Sequence, residues 1–354
     1  MVYILIAVLI FGLLIALHEL GHCLAAKACG VRVNEYAIGM GPALLKTTKG
    51  ETQYSLRLLP IGGYCAMEGE DEDSDDPRAL NHQGFWKQFL IFVAGAAMNF
   101  LTGLVILLCL YAGAKGFYTP EITDLHADFP QRGEDGLMVG DTIWRVNGER
   151  IYLNSDVETV LELKSRGDTL DLVVLRDGKK LSRTLTKQNY TEANGETSYR
   201  FGFSHGGVVE ATPLLKLKYS WYHALDYVRL VRLSLQMLLT GRAGVDDLSG
   251  PVGIVSTISE MGQETEAAAG FGAALENVLF FGALIAVNLA VMNLLPIPAL
   301  DGGKILFLVL NELAFRVFRR RIPAKYENWI HAGGFVLLMA LMLFVTWHDV
   351  LKLM

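Results

Sequence analysis

The sequence predicts a mainly α-helical polytopic membrane protein, with about four transmembrane helices and an inserted α+β, strand-rich domain. Two observations carry this prediction. Hydrophobic residues make up 52% of the 354 residues and charged residues 19%, whereas soluble domains are about 45–50% apolar. Long apolar runs lie towards both ends of the chain, and the segment between them has the alternating pattern of strands.

Four apolar runs are long enough to cross the hydrocarbon core, which takes about 20 residues of helix. They cover residues 1–28, 88–113, 277–300 and 329–351. The second and third runs contain no Lys, Arg, Asp or Glu, and buried helices of soluble proteins seldom have apolar runs of this length. The first run lacks the basic start of a cleavable signal peptide, so we expect it to be retained.

The connections between the runs predict the orientation of the chain, because positive charge is retained on the cytoplasmic side. Basic residues cluster between positions 316 and 325, in the link between the third and fourth runs. This link should be cytoplasmic, which also places 27–87 in the cytoplasm and 114–275 outside. No basic patch with interleaved aromatic residues indicates nucleic acid as a partner, so we expect contacts with the lipid bilayer and with membrane proteins.

Turn signals predict strands on both sides of the second run. Asn147-Gly148 and Asp177-Gly178 stand between alternating stretches of the external segment, and both dipeptides are strong hairpin signals. Residues 31–66 alternate as well, and Lys49-Gly50 can form the turn of a hairpin.

Residues 213–240 have apolar side chains at helical spacing. Such an amphipathic helix either lies in the membrane interface or packs on its own domain, and the sequence leaves both open.

The first run ends in ALHELGH, which contains the pattern His-Glu-x-x-His at residues 18–22. Residues four apart lie on one face of a helix, so His18 and His22 can both direct a ring nitrogen at one ion. In this pattern the histidines bind zinc and the glutamate, here Glu19, acts as general base. Ionisable side chains in a membrane span are costly and mark a site or an ion path, so the sequence predicts a zinc site.

A catalytic zinc ion takes three protein ligands and keeps one position open. The third histidine of the extended metzincin pattern is absent, because Ala28 stands in its place. Asp301, in NLLPIPALDGG, is the best remaining candidate, since it lies at the same membrane level as His22 by the charge rule. Pro296 and Pro298 should interrupt the helix before it.

The two motifs together resemble those of the site-2 protease family of intramembrane zinc metalloproteases, in the bacterial branch similar to the regulator of sigma-E protease. ALHELGH matches the first motif of that family, and NLLPIPALDGG at 293–303 matches the second. Residues 31–66 resemble its membrane re-entrant β-loop, and residues 118–205 resemble a PDZ domain. Some relatives carry two PDZ domains, whereas this chain has room for one. The resemblance covers nearly the whole chain.

The resemblance implies a domain order and a set of catalytic roles. An N-terminal membrane region at 1–113 and a C-terminal one at 276–354 enclose the PDZ-like domain and the amphipathic helix. His18, His22 and Asp301 would be the zinc (Zn2+) ligands, and Glu19 the catalytic base.

The resemblance also implies how substrate is bound. Asn293 would contact substrate near the scissile bond, and Gly39 and Gly41 would lie in the edge strand that receives it. An edge strand can hold an unwound substrate backbone by β-addition. The PDZ-like domain lacks a clear glycine-rich loop for a peptide carboxylate, so capture of a free C-terminus by this domain is not expected.

The resemblance therefore implies an intramembrane zinc metalloendopeptidase of the bacterial inner (plasma) membrane. Its partners would be single-pass transmembrane proteins, such as anti-sigma factors or remnant signal peptides, with the active site towards the cytoplasm and the PDZ-like domain outside. A membrane metal transporter with the same ligands is the alternative, although it gives no role to Glu19. An inactive relative is disfavoured, because every expected catalytic position is filled. Oligomeric state is not predicted.

Overall fold

The structure is a computed structural model that describes residues 2–70, 74–164, 167–191, 195–242, 244, 249–320 and 322–353. Within these ranges the helices are α1 (Val2–Ala28), α2 (Phe85–Ala112), α3 (Ser155–Leu163), α4 (Pro213–Leu239), α5 (Pro251–Ala269), α6 (Phe271–Asn293), α7 (Asp301–Phe318) and α8 (Ala324–Leu353). The strands are β1 (Val33–Lys49), β2 (Thr52–Met67), β3 (Gly116–Leu125), β4 (Thr142–Val146), β5 (Glu149–Arg150), β6 (Thr169–Arg176), β7 (Lys179–Thr186), β8 (Gln188–Thr191), β9 (Thr197–Arg200) and β10 (Phe203–Glu210). The chain divides into two compact units, one formed by Met1–Leu107 with Ser234–Met354 and the other by Leu108–Leu233.

In the part of the chain that the structure describes, four helices are long and apolar enough to cross a membrane. They are α1, α2, α6 and the stretch Lys325–Lys352 of α8. The prediction of about four spans is therefore confirmed, and with it the prediction of a mostly helical membrane protein with some β-sheet.

The third span lies earlier in the sequence than the apolar run predicted. The helix α6 covers Phe271–Asn293 rather than 277–300. It ends before Pro296 and Pro298, because proline has no N–H for the helix ladder and disfavours helical backbone in the residue that precedes it. Residues 294–300 form a turn instead, and α7 begins directly after it.

The strands β1 and β2 form a long antiparallel hairpin in the first unit. Its turn lies at Gly50, which has a φ of +67°, as the Lys49-Gly50 pair predicted. Residues 35–38 of β1 are paired on both sides, with 53–56 of β2 on one side and 63–66 of β2 on the other. The second half of β2 therefore returns along β1 as a separate strand of the sheet.

The hairpin packs on α1 and carries a large exposed apolar surface. The hydroxyl of Tyr36 donates a 2.8 Å hydrogen bond to the Ala16 carbonyl of α1. The exposed apolar side chains are Ile38, Met40, Leu44, Leu45, Leu56, Leu58 and Leu59. An exposed apolar patch of this kind marks contact with a membrane or a partner.

One buried apolar cluster of the first unit lies between α1, α5 and α6. Its buried side chains are Tyr3, Ala7, Leu14, Ile258, Ala274, Val278, Ile285 and Ala286. The helix α1 also approaches α2 closely at Gly21, where a Cβ atom would lie 2.4 Å from the Ala94 carbonyl oxygen. Small residues allow such close contact between membrane helices, and this one brings the histidine-bearing face of α1 against α2.

The second unit is built on a sheet of strand order β10-β3-β4-β6-β7, with β5 paired to β4. Its hairpins turn at Asn147-Gly148 and Asp177-Gly178, where all four residues have positive φ, as the turn signals predicted. The buried core between the sheet and α3 includes Ile122, Leu137, Ile143, Val146, Val157, Val160, Leu170, Leu172 and Val174.

The start of α4 packs on this sheet, and the helix then carries a buried charge cluster. The rings of Tyr219 and Phe117 stack with centroids 4.2 Å apart. Arg229 contacts Asp226 on its own helix and lies 3.0 Å from Asp156 of α3. All three charged side chains are buried. Burial and the neighbouring Asp156 carboxylate raise the pKa of Asp226 to about 7.

Replacing Arg229 with methionine should destabilise the second unit by about 3–5 kcal/mol, because two buried carboxylates lose their cation. The folded pKa of Asp226 exceeds its unfolded value of about 3.9, so protonation of Asp226 stabilises the folded state at low pH, and this contribution is lost as the pH rises through 7. At pH 5 Asp226 is therefore neutral and does not need the cation, whereas at pH 8 its buried carboxylate is charged and does. The loss should therefore be larger at pH 8 than at pH 5. The stability loss is measured by heating the full-length variant and using limited proteolysis within 108–233 to detect unfolding. Adding Asp226→Asn should restore stability at pH 8, and a double variant no more stable than Arg229→Met would contradict this account.

Candidate metal centre

His18 and His22 lie on one face of α1, as their spacing of four residues predicted. Their rings meet edge to face, with centroids 4.8 Å apart, and their Nε2 atoms are 3.2 Å apart. The two residues are only 9% and 6% exposed. The Nε2 atoms of the two imidazoles therefore converge on one point, which is buried between apolar helices.

Asp301 is brought to the same point from the other end of the chain. It is the first residue of α7 and follows the turn at 294–300. Its Oδ2 atom lies 3.2 Å from Nε2 of His18 and 3.2 Å from Nε2 of His22. The structure thus brings together the three residues that the sequence singled out as metal ligands.

The donor set fits zinc. The three candidate ligand atoms lie within 4.8 Å of one another, and the buried Oδ2 of Asp301 makes no hydrogen bond to any described residue. Two imidazole nitrogens and one carboxylate oxygen are a known catalytic zinc set, which leaves the fourth position of the ion open. Lone pairs that converge in a buried site need a cation between them.

Gly95 of α2 provides the room for this convergence. A Cβ atom at this position would lie 2.3 Å from Nε2 of His22 and 2.8 Å from Nε2 of His18. Any side chain here would therefore collide with both imidazole rings. The sequence analysis did not identify Gly95, because a glycine in an apolar helix has no pattern that separates a site from ordinary packing.

The far nitrogen of each ring, Nδ1, has a partner that fixes its orientation. Nδ1 of His22 lies 2.8 Å from the Ile91 carbonyl oxygen, so it donates its proton there and leaves Nε2 with a free lone pair. Nδ1 of His18 lies 3.3 Å from the side-chain amide nitrogen of Asn99 and 3.4 Å from that of Asn293. Oδ1 of Asn99 is buried without a partner among the described residues. With its amide turned by 180°, Asn99 would accept the Nδ1–H of His18.

Glu19 lies in a cavity beside the three candidate ligands. The cavity has a volume of about 130 Å³. Its walls are formed by Glu19, His22, Cys65, Met67, Glu70, Phe92, Asp301 and Lys304. Lys304 and Glu70 form an ion pair of 2.6 Å at this wall. A carboxylate therefore shares a small, partly enclosed space with two candidate ligands, which is what a general base near a metal requires.

The strand that borders this cavity belongs to β2. Cys65 and Met67 line it, and a Cβ atom at Gly63 would lie 3.7 Å from Cγ of Glu19. Gly39 and Gly41 have φ of +85° and +83° and are not among the residues described as lining the cavity. Their predicted place in a substrate-binding strand stays a prediction.

Asn99 is a second site residue that sequence reasoning missed, although a signal was present. It is a buried polar side chain, 1% exposed, in an apolar span. The argument that singled out the histidines, that polar groups in a span are costly and therefore have a task, applies equally to it.

Comparison with known proteins gives a consistent picture over nearly the whole chain. The sequence profile of peptidase family M50 matches residues 6–341. A Clostridium perfringens protein, named provisionally as a zinc metalloprotease, is 37% identical over 350 residues, covering 99% of this chain and 98% of that protein. The regulator of sigma-W protease RasP of Bacillus subtilis is 28% identical over an alignment of 432 residues, covering 98% and 97%. The zinc metalloprotease RasP of Bacillus licheniformis is 30% identical over 429 residues, covering 98% of each chain.

The residues that the profile matches span both motifs of this chain that the sequence analysis singled out, and the donor atoms in the structure suit the metal that the relatives are named for. Since the profile covers far more than half of the chain, the chain belongs to peptidase family M50, the site-2 protease family, and is a zinc-dependent protease of the membrane.

Proposed function

We propose that the chain is an intramembrane zinc metalloendopeptidase that hydrolyses peptide bonds within or near the transmembrane segments of single-pass membrane proteins. One observation carries the proposal: His18, His22 and Asp301 converge beside Glu19. His18, Glu19 and His22 belong to α1, which is itself long and apolar enough to span a membrane. Such a site serves regulated intramembrane proteolysis, and anti-sigma factors or remnant signal peptides are the proposed substrate classes. The name of the RasP relative, a regulator of sigma-W, supports the first class.

In this proposal His18, His22 and Asp301 hold the zinc ion. When bound, zinc acts as a Lewis acid that acidifies water and polarises a carbonyl group. Glu19 accepts a proton from the attacking water and later gives a proton to the leaving amine. Ile91 and Asn99 keep the two imidazoles in the orientation that leaves Nε2 free.

The proposed substrate is bound in an extended form, because a helix hides its own peptide bonds. Residues 63–66 of β2 pair with β1 on one side, and no described strand pairs with their other side. Cys65 of this segment lines the cavity of Glu19, so an unwound substrate that adds to the free edge by β-augmentation would lie close to that cavity. Gly39 and Gly41 shape the same sheet, and Asn293, 3.4 Å from His18, would contact the substrate near the scissile bond.

The proposed orientation places the active site towards the cytoplasm and the PDZ-like domain at 118–205 outside the bacterial inner membrane. The basic link between the third and fourth spans supports it. The exposed leucines of the β1–β2 hairpin support a position of this hairpin inside the lipid, as a re-entrant loop. The orientation is tested by introducing a cysteine in 118–205 and treating intact cells with an impermeant thiol reagent, which should label it. Labelling only after lysis would show the opposite orientation.

Zinc removal tests the activity directly. The purified full-length chain, reconstituted in vesicles with single-span proteins, should produce fragments cut within the span, as mass spectrometry of both fragments will map. A chelator should stop the cleavage and added zinc should restore it, since three protein ligands hold the ion reversibly. Cuts confined to soluble segments, or cleavage that persists in a sample shown to be metal-free, would refute the proposal.

A further inference from the structure

The helix α8 is largely exposed, and it contacts the rest of the first unit near its end and near its beginning. Near its end, Asp349 accepts a 2.8 Å hydrogen bond from the Gly253 N–H at the start of α5. Near its beginning, His331 and Gly334 meet the turn at 294–300. Only 6% of the apolar window of α8 is buried, and the contact near its beginning is made with the turn that leads to Asp301.

The turn at 294–300 contains a strained residue that α8 holds. Ala299 has a φ of +74°, a region that residues other than glycine rarely adopt and that raises their energy. Its N–H donates a 3.0 Å hydrogen bond to Nδ1 of His331. The neighbouring N–H groups of Ile297 and Leu300 are bonded within the turn itself, to the carbonyls of Leu295 and Ile297. The hydrogen-bond acceptor for the strained residue Ala299 therefore comes from a side chain on another helix.

The imidazole of His331 is seated against both the turn and the first part of α7. A Cβ atom at Gly303 would lie 3.1 Å from Cε1 of His331, and the rings of His331 and Phe307 have centroids 5.4 Å apart. One helical turn further along α8, a Cβ atom at Gly334 would lie 2.3 Å from Cβ of Pro298. The position of His331 is therefore fixed closely relative to Asp301, the first residue of α7.

The hydrogen bond also fixes the tautomer of His331. Because Nδ1 accepts a proton from Ala299, the ring hydrogen of the neutral imidazole resides on Nε2. Nε2 is buried and has no partner among the described residues. A buried donor without a partner costs stability, so an apolar side chain would be expected here unless the Nδ1 acceptor had a task.

We propose that His331 is a positioning residue for Asp301. By accepting the Ala299 N–H it holds the turn in the conformation that aims the Asp301 carboxylate at His18 and His22. The inference rests on the proposed metal site, and it assigns to α8 a role in metal binding that reaches the ion through the turn rather than by ligation.

Three variants of the full-length chain test the proposal by zinc affinity, measured in competition with a chromogenic chelator. His331→Leu should weaken zinc binding by about 10–100-fold, as loss of a group that orients a ligand does. His331→Asn should retain most of the affinity, because its Oδ1 can replace Nδ1 as acceptor. His348→Leu makes the same change at the far end of α8 and should leave zinc affinity unaltered.

Relief of the backbone strain provides an independent test. Glycine adopts positive φ without the steric cost of alanine, so Ala299→Gly in the His331→Leu background should recover part of the lost affinity. At saturating zinc, His331→Leu should lower kcat more than it raises KM, since the residues proposed to contact the substrate are unchanged.

Each result has a separate reading. If Asp301→Ala keeps wild-type zinc affinity, the proposed metal site itself is wrong. If Asp301→Ala loses zinc while His331→Leu binds it as the wild type does, only the positioning role is wrong. Should His331→Leu fail to insert or fold, a zinc affinity of His331→Asn about 10-fold or more below that of the wild type would overturn the proposal. Where His331→Leu folds, no gain in affinity on adding Ala299→Gly would overturn it.

Discussion

Replacement of Gly95 with alanine should abolish zinc binding while leaving the protein inserted in the membrane. The added methyl carbon would lie 2.3 Å from Nε2 of His22 and 2.8 Å from Nε2 of His18, far inside van der Waals contact. At least one ring must move by several tenths of an ångström, whereas zinc ligation tolerates deviations of only about 0.2 Å. We expect zinc affinity to fall by more than about 100-fold, beyond the loss seen on removing a group that merely orients a ligand.

Gly103 on the same helix provides the matched control. A Cβ atom there would lie 2.9 Å from Cγ2 of Val287 on α6 and touches no candidate ligand. Gly103→Ala should therefore lower thermal stability through crowding of two helices but keep one zinc per chain, as metal analysis of the purified protein can establish. If Gly95→Ala retains zinc, or if both variants lose it alike, the space at Gly95 is a packing feature and not part of the metal centre.

The candidate ligands could be read from the sequence because each belongs to a local pattern. His18 and His22 share a helix face by spacing alone, and Asp301 stands in a motif interrupted by prolines. Gly95, Asn99 and His331 have no such pattern, because their importance arises from contacts with residues distant in sequence. Asn99 and His331 nevertheless are polar groups in apolar runs, and the cost of such groups in a span was a usable signal. Gly95 gave none.

The same distinction applies to the fold. The turns at Asn147-Gly148 and Asp177-Gly178 were predictable, since those residue pairs favour positive φ at both positions. The two-sided pairing of residues 35–38 was not, because the register between β1 and β2 shifts repeatedly along the hairpin. Alternation of apolar and polar side chains predicts that a strand is present, but it does not predict which strands pair with it. The end of α6 was misplaced because apolar composition continues past the residue at which the prolines stop the helix.

Replacement of Glu19 with glutamine should separate catalysis from metal binding. Glutamine has nearly the shape of glutamate but cannot accept a proton at neutral pH, so the rate of substrate cleavage should fall by about 10²–10⁴-fold, the usual contribution of a general base. Zinc content should stay at the wild-type value, because His18, His22 and Asp301 are unchanged. Cleavage of a single-span substrate in vesicles, alongside metal analysis of the same sample, measures both.

Glu70→Gln is the control for this variant, since it makes the same change in the same cavity. Glu70 is paired with Lys304 at 2.6 Å, so its loss should perturb the cavity wall while leaving most of the cleavage rate. The pair of variants also separates the protease from a metal transporter, which has no need of a base and should keep appreciable zinc flux when Glu19 is replaced. Cleavage by Glu19→Gln at the wild-type rate would remove Glu19 from the mechanism, and loss of zinc from it would instead make Glu19 part of the metal site.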